Sequence, residues 1–296
     1  MNIFLCGGEL PLGLVLMPLL EAPLFSILPA KESSFIGLSA NDAASFLREH
    51  NVDFVLNLHC TPSSISTTQQ EPPSFTQRVA EAASSAGITL FQLSNSHVFS
   101  GRQTGRHANS YRETDNLDNE NTAMNLEALC PRLIVLRTGE LFSDRGINIL
   151  PNLLASWQRG ESAALPLRDQ FCPTAMIDAA RVIVALLKQL SCGIEPWGVY
   201  HYCGTDTVSY HDFACLVRQI LAAQPGCNFP MAIHDSHEGQ PALSWSLDCS
   251  KIRNTFGIKQ HAWRAGLASS IKRTLSASSH PAPISSGDSG DTHGRS

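Results

Sequence analysis

Two stretches of this 296-residue chain carry residue types and spacings that could do chemistry. "FLCGGELPLG" (4–13) ends a short apolar run in glycines, as a strand does when it delivers a phosphate-cradling loop to a helix N-terminus. Gly7 and Gly13 stand at the first and third glycine places of G-x-x-G-x-x-G, with Gly8 beside the first and Leu10 at the middle place. "NLHC" sets His59 beside Cys60, and His97 follows a later apolar run. A Cys–His pair can act as nucleophile and base, or join a third ligand around a metal. No signature around these residues supports either role, and pocket-lining or buried filler is the plainer account. No metal is expected.

The elements that would position these groups can be read from apolar periodicity. Strands are expected at Asn2–Cys6, Leu24–Leu28, Asp53–Leu58, Thr89–Leu93, Leu133–Arg137 and Gly198–Tyr202. Each is short, apolar on both faces and followed by a helix-length segment, the pattern of a buried parallel sheet. Phe75, Val79, Ala82 and Ala86 make one helical stripe, stopped by Gly87; Met176, Ala180, Ile183, Leu187 and Leu190 make another. Ser209 with Asp212 reads as a helix start, and Trp263, Leu267 and Ile271 mark a last helix. Pro18 is expected to disrupt the first helix. The fold class is α/β, a doubly wound parallel sheet, in which ligands bind beyond the carboxyl ends of the strands. The residues there are Gly7–Gly13, Pro29–Lys31, Asn57–Thr61, Ser94–Phe99 and Thr138–Phe142.

Composition narrows the function classes. Hydrophobic residues make up 43% and charged residues 16%, enough for a large core under a lightly charged surface. A net charge of −5 without a Lys/Arg cluster gives no reason to expect nucleic acid. The nine cysteines are odd in number and form no C-x-x-C, which points to reduced thiols and a cytoplasmic protein. The apolar N-terminus lacks a basic leader and is broken by Glu9, Pro11, Pro18 and Glu21, so neither signal peptide nor membrane span is expected. Residues 277–296, rich in Ser, Gly and Pro, read as a disordered tail.

Six segments, in order, resemble one family, the dTDP-4-dehydrorhamnose reductases among the extended short-chain dehydrogenases. "LSNSHVFSG" (93–101) resembles its S-T-D-Y-V-F-x-G, and "SYRETD" (110–115) its Y-x-E-x-D. "LIVLRTGELFSDRGINI" (133–149) is similar to its R-T strand and later G-x-N-F, and "DQFCPT" (169–174) to D-Q-x-G-x-P-T with one residue missing. "GVYHYCGTDTVSYHDFACLV" (198–217) and "QPALSWSLDCSKIRNTFGI" (240–258) resemble its two C-terminal motifs. The resemblance covers about 2–275, and the last half is also similar to the regulatory β subunit of methionine adenosyltransferase, a binding partner of the same fold. It implies an NAD(P)-binding Rossmann-type domain (1–142 plus 198–204) and a smaller C-terminal substrate-binding lobe (143–197 plus 205–276).

The resemblance also implies a catalytic set that this chain departs from. The family reduces a 4-keto sugar with NAD(P)H, using a Tyr acid, a Lys four residues on and a Thr near the carbonyl oxygen. The tyrosines here, 111, 200, 202 and 210, are followed four residues on by Asp115, Gly204, Asp206 and Ala214, so no Y-x-x-x-K exists. The family's Tyr and Lys fall on Asn119 and Ala123, its Thr on Asn95, and the Tyr of S-T-D-Y on His97. On the cofactor side the matching positions are Gly7, Gly8, Leu10, Gly13, Lys31 and Asn57. Leu10 adds bulk where pyrophosphate would approach the backbone. Lys31 replaces a ribose-gripping acid and suits at best a 2′-phosphate, and an adenine-capping acid falls on Gly37.

On the substrate side the family positions are Ser94, Glu140, Asn148, Gln170, Thr174 and Gln240, with Arg137, Asp169 and Pro173 near or behind the pocket. Glu140 replaces an aromatic residue and would repel a sugar diphosphate if it pointed inward; Gln240 replaces an Arg.

Three readings follow from this. The first is a non-catalytic binding or regulatory protein that holds a nucleotide, a nucleotide-sugar or a protein partner. The second is an NADPH-dependent nucleotide-sugar reductase with His97 or Tyr111 as proton donor. The third is a Cys60 enzyme of another class. For residues 4–13 a tight turn without ligand and residual NADP(H) binding both stand, and a homodimer is compatible with all three readings.

Overall fold

A computed structural model of the chain describes residues 1–20, 24–30, 38–60, 73–102, 110–115, 126–224, 227 and 230–278. Six strands form one parallel sheet: β1 (Asn2–Cys6), β2 (Ser26–Pro29), β3 (Phe54–Asn57), β4 (Thr89–Asn95), β5 (Leu133–Thr138) and β6 (Gly198–Tyr202). Their spatial order is β6-β5-β4-β3-β1-β2. Because successive side chains point to opposite faces, Leu5, Leu56, Phe91, Ile134 and Tyr200 lie on one side and Phe4, Val55, Leu90, Leu133 and Val199 on the other. The first face is covered by α1 (Pro11–Leu20) and by residues of Met176–Ser191 and Ser250–Phe256; the second by α2 (Ala40–Glu49) and α3 (Pro73–Ala86).

A third apolar core gathers α4 (Ile149–Gln158), α6 (Tyr210–Ala222) and α8 (Arg264–Ser278) around Trp157, Phe171, Phe213 and Trp263. Between these come α5 (Met176–Ser191), which packs on α1, and α7 (Ser250–Phe256), which packs on β6. Short strands stitch this second region together: Gln170–Phe171 pairs with Val208–Ser209 and Ser244–Trp245, and Ala163–Leu165 pairs with Ile233–Asp235. Lys251 lies against the outermost strand, its ammonium donating to the Val199 carbonyl at 2.7 Å.

Most expected strands match to within a residue or two, and β4 runs on to Asn95. Pro18 does not break α1, which continues to Leu20. Pro18 and Leu14, whose carbonyl would have received the missing N–H, both lie on the exposed face, where water can take that carbonyl. The last helix runs through Ser278, two residues into the segment expected to be a tail; the remainder of that segment lies outside the described residues. Among the described residues no helix is long and apolar enough to cross a membrane. All nine cysteines are free.

Candidate functional site

β1 sits between β2 and β3, so the chain reverses its winding there, and the crevice beyond β1 and β3 is the topological switch point. The glycines expected to shape it do so for steric reasons. Gly7 has φ +80°, a conformation that side chains disfavour. A Cβ on Gly13 would stand 2.3 Å from the Gly7 carbonyl oxygen and 2.5 Å from that of Gly8, so α1 can pack on the loop only with glycine there. A Cβ on Gly8 would meet Leu5 at 3.3 Å.

The space over the loop is taken. Leu10 Cδ1 lies 2.7 Å and His59 Nε2 3.3 Å from where a Cβ on Gly7 would be. His59 is fixed by a buried network. Asn57 donates from Nδ2 to Gln92 Oε1 (2.8 Å) and accepts the His59 N–H, while Gln92 Nε2 donates to the His59 carbonyl (2.8 Å). The Asn57 amide therefore holds the strand end and its loop. A pyrophosphate bound at such a loop uses its backbone amides, and the Leu10 and His59 side chains crowd the space beside Gly7. Lys31 and Gly37 lie outside the described residues.

The ends of β4 and β5 bring Asn95, His97 and Glu140 together. Asn95 caps the turn Ser96–Val98, its side chain accepting the His97 N–H at 2.9 Å. His97 Nε2–H donates to Glu140 Oε2 at 2.9 Å; the two side chains are 5% and 11% exposed. The His97 ring lies 4.7 Å from that of Trp245, and its Nδ1 is buried without a partner among the described residues. The Ser94 carbonyl receives Thr138 Oγ1. Glu140 thus points inward, toward an imidazole.

Cys60 as a residue keeps some exposure, but its thiol is enclosed. That desolvation pushes its pKa up to about 12, against a smaller lowering by the Asn95 side chain. A thiol held so high is a poor nucleophile at neutral pH. Brief alkylation of the folded protein followed by peptide mapping is expected to modify the exposed Cys192 and leave Cys60 intact. Rapid labelling of Cys60 would revive the reading in which it is catalytic.

Tyr111 belongs to the framework. Its ring stacks on Phe99 at 4.2 Å and 2°, its hydroxyl is 3.4 Å from Ser100 Oγ, and its backbone bonds Ser246 and Asp248. Its carbonyl accepts Nδ1–H of buried His201, whose Nε2 faces Arg137 at 3.5 Å. Burial first, then the Arg137 charge, lowers the His201 pKa to about 3. Asn119 and Ala123 lie outside the described residues.

The second region holds a cavity of about 310 Å³, at the lower end of the range for small-molecule sites. Its lining includes Asn152, Ser156, Asp169, Tyr210, His237 and Trp245, and among the lining residues only His237 can carry positive charge. Asp169, 1% exposed, accepts from Leu243 N–H and from His237 Nδ1, each at 3.0 Å. The Tyr210 hydroxyl is buried without a partner among the described residues. Its pKa is raised by burial and by the Glu140 and Asp169 charges.

Of the residues expected to bind substrate, none lines this cavity; Asp169, expected near or behind the pocket, does. Asn148 caps α4: its Oδ1 accepts from Ser143 and Leu150, and its Nδ2 donates to the Arg145 carbonyl. Thr174 ties Cys172 to Gly204, and Gln170 and Gln240 are exposed. His237 lies outside the motif positions singled out in the sequence, and its partner Asp169 was its only flag. Among the described residues no cluster of three or more metal-ligating side chains exists.

Comparison with known proteins agrees with this architecture. A dTDP-4-dehydrorhamnose reductase of Aggregatibacter actinomycetemcomitans is 27% identical over 206 residues, covering 64% of this chain and 69% of the relative. The enzyme of that name from Escherichia coli is 25% identical over 304 residues, covering 93% and 97%. A dTDP-4-dehydrorhamnose reductase from Bacillus anthracis, solved in complex with NADP, superposes with a TM-score of 0.73 at 16% identity, covering 92% of this chain and 98% of that one. The model of the RmlD substrate binding domain family matches residues 1–276, and the chain belongs to that family.

Proposed function

We propose that this protein is a non-reducing member of its family, which binds a nucleotide or nucleotide-sugar in the second-region cavity and does not turn it over. The observation that carries this reading is the crowding at the glycine turn: the Leu10 and His59 side chains lie against Gly7, beside the backbone that a dinucleotide would use. Two further features support it. No tyrosine is followed by a lysine four residues on, and the position of the family's Tyr falls on Asn119, whose amide is no general acid at neutral pH. The relatives' names supply the ligand class, a dTDP-linked sugar. A cytoplasmic location fits the nine free thiols.

Calorimetry should therefore show saturable binding of dTDP and none of NADPH or NADH at millimolar concentration. Steady oxidation of NADPH in the presence of dTDP-4-dehydrorhamnose would overturn the reading. One observation favours the reductase alternative. The His97–Glu140 pair at 2.9 Å stands at the strand ends where a carbonyl would sit, and could hold and release a proton. If turnover is found, His97→Gln should abolish it; turnover that survives the substitution would exclude His97 as donor.

A further inference from the structure

The cavity has a charge problem that one residue pair solves. Asp169 is a buried carboxylate on its wall, and Glu140 lies close enough to act on the Tyr210 hydroxyl. An anionic ligand would meet repulsion there unless a cation faces it. Gln240, at the place of a family arginine, supplies none and is exposed. Nearby Arg168 is engaged elsewhere: its Nη2 donates to the carbonyls of His237 and Gln240, and its Nε lies 3.6 Å from Asp235.

His237 is differently placed. Its side chain is 39% exposed at the cavity rim, its backbone N–H is anchored on Asp235 Oδ1 at 3.0 Å, and its Nδ1–H donates to Asp169. That bond fixes the ring's orientation and leaves Nε2 as the ring's remaining polar atom. The same cavity is lined by Trp245 and by Tyr210, whose buried hydroxyl lacks a partner. The wall therefore offers aromatic surface and an unpaired hydroxyl deep inside, and a steerable imidazole at the rim.

Resting on the nucleotide reading above, we propose that the His237–Asp169 pair is the anion-reading element of this cavity. His237 Nε2 takes up a proton as the phosphate end of a nucleoside phosphate arrives and donates it as a hydrogen bond, while Asp169 balances the imidazolium. The nucleoside body occupies the aromatic interior. The pair does for this chain what an arginine does elsewhere.

The test is calorimetry with dTDP and with thymidine. The wild-type protein should bind dTDP at least tenfold more tightly than thymidine. In two buffers of different ionisation enthalpy, dTDP binding should report the uptake of a proton. His237→Gln should weaken dTDP about tenfold, abolish the proton uptake and leave thymidine unchanged; His237→Arg should restore dTDP affinity without proton uptake. His237 is a rim residue, so these variants are expected to fold, as their melting curves will show. If dTDP binds and His237→Gln leaves its affinity and proton uptake unaltered, the inference fails while the nucleotide reading stands. If dTDP does not bind at all, the nucleotide reading falls and takes the inference with it.

Discussion

Replacing Gly13 by Ala is expected to lower the free energy of unfolding by about 3 kcal/mol, although helix propensity alone predicts a gain of up to about 1 kcal/mol. Gly13 lies in the first turn of α1, and the added methyl would stand 2.3 and 2.5 Å from the two carbonyl oxygens of the loop. Neither carbonyl can move freely, because both belong to the turn that joins β1 to α1. Gly266, in α8, has nothing within 4 Å of an added Cβ, so Gly266→Ala should be neutral or slightly stabilising. Denaturant midpoints of the two variants decide the matter. If Gly13→Ala is as stable as the wild type, the loop and helix can separate at no cost, and the account of residues 4–13 as a packed turn is lost. The comparison isolates packing from ligand binding, since neither variant is measured with a nucleotide present.

The second large effect concerns acid. His201 is neutral and fully buried, with its two ring nitrogens facing a carbonyl acceptor and a guanidinium donor. Its folded pKa is lowered to about 3, whereas an unfolded histidine titrates near 6.5. Between those values the unfolded chain binds a proton that the folded chain refuses. The contribution of His201 is therefore complete above about pH 6.5 and is lost at about 1.4 kcal/mol per pH unit as the pH falls toward 3. Glu113 acts with the opposite sign. Burial holds its carboxyl above the usual range, so its protonation favours the folded form as pH falls. The wild type and His201→Gln should therefore be compared by chemical denaturation between pH 7 and 4.5. The variant's stability should fall less steeply, by about one proton. Parallel curves would mean that His201 is solvated or protonated in the folded state.

These two residues show what the sequence could and could not disclose. The sheet was legible because its strands are continuous apolar runs, and the glycine turn because only glycine tolerates both the backbone angle at residue 7 and the contact at residue 13. Leu10 was visible as bulk at a glycine position. His59 closing the other side was not, because that depends on β3 lying next to β1, a contact across 50 residues of sequence. His97 and Glu140 each looked like a separate departure from a motif. Only the pairing of β4 with β5, which sets Asn95 opposite Thr138, reveals them as one hydrogen-bonded pair. Asn148, expected on the substrate side, caps α4, a role that the local pattern N-x-L also allows. The cavity at Asp169 draws its wall from α4, α6 and three separate short segments, a closure that no local pattern records.

The lysine against β6 has a consequence for how copies of this chain can meet. A parallel sheet ends in strands whose outward carbonyls and amides invite a further strand, and an open edge of this kind is a route to sheet-to-sheet aggregation. Here Lys251 occupies the Val199 carbonyl, and α7, which carries that lysine, packs along the same strand. A neighbour adding to this edge would have to displace a charged group. Self-association of this protein would therefore use helical faces rather than extend the sheet at β6.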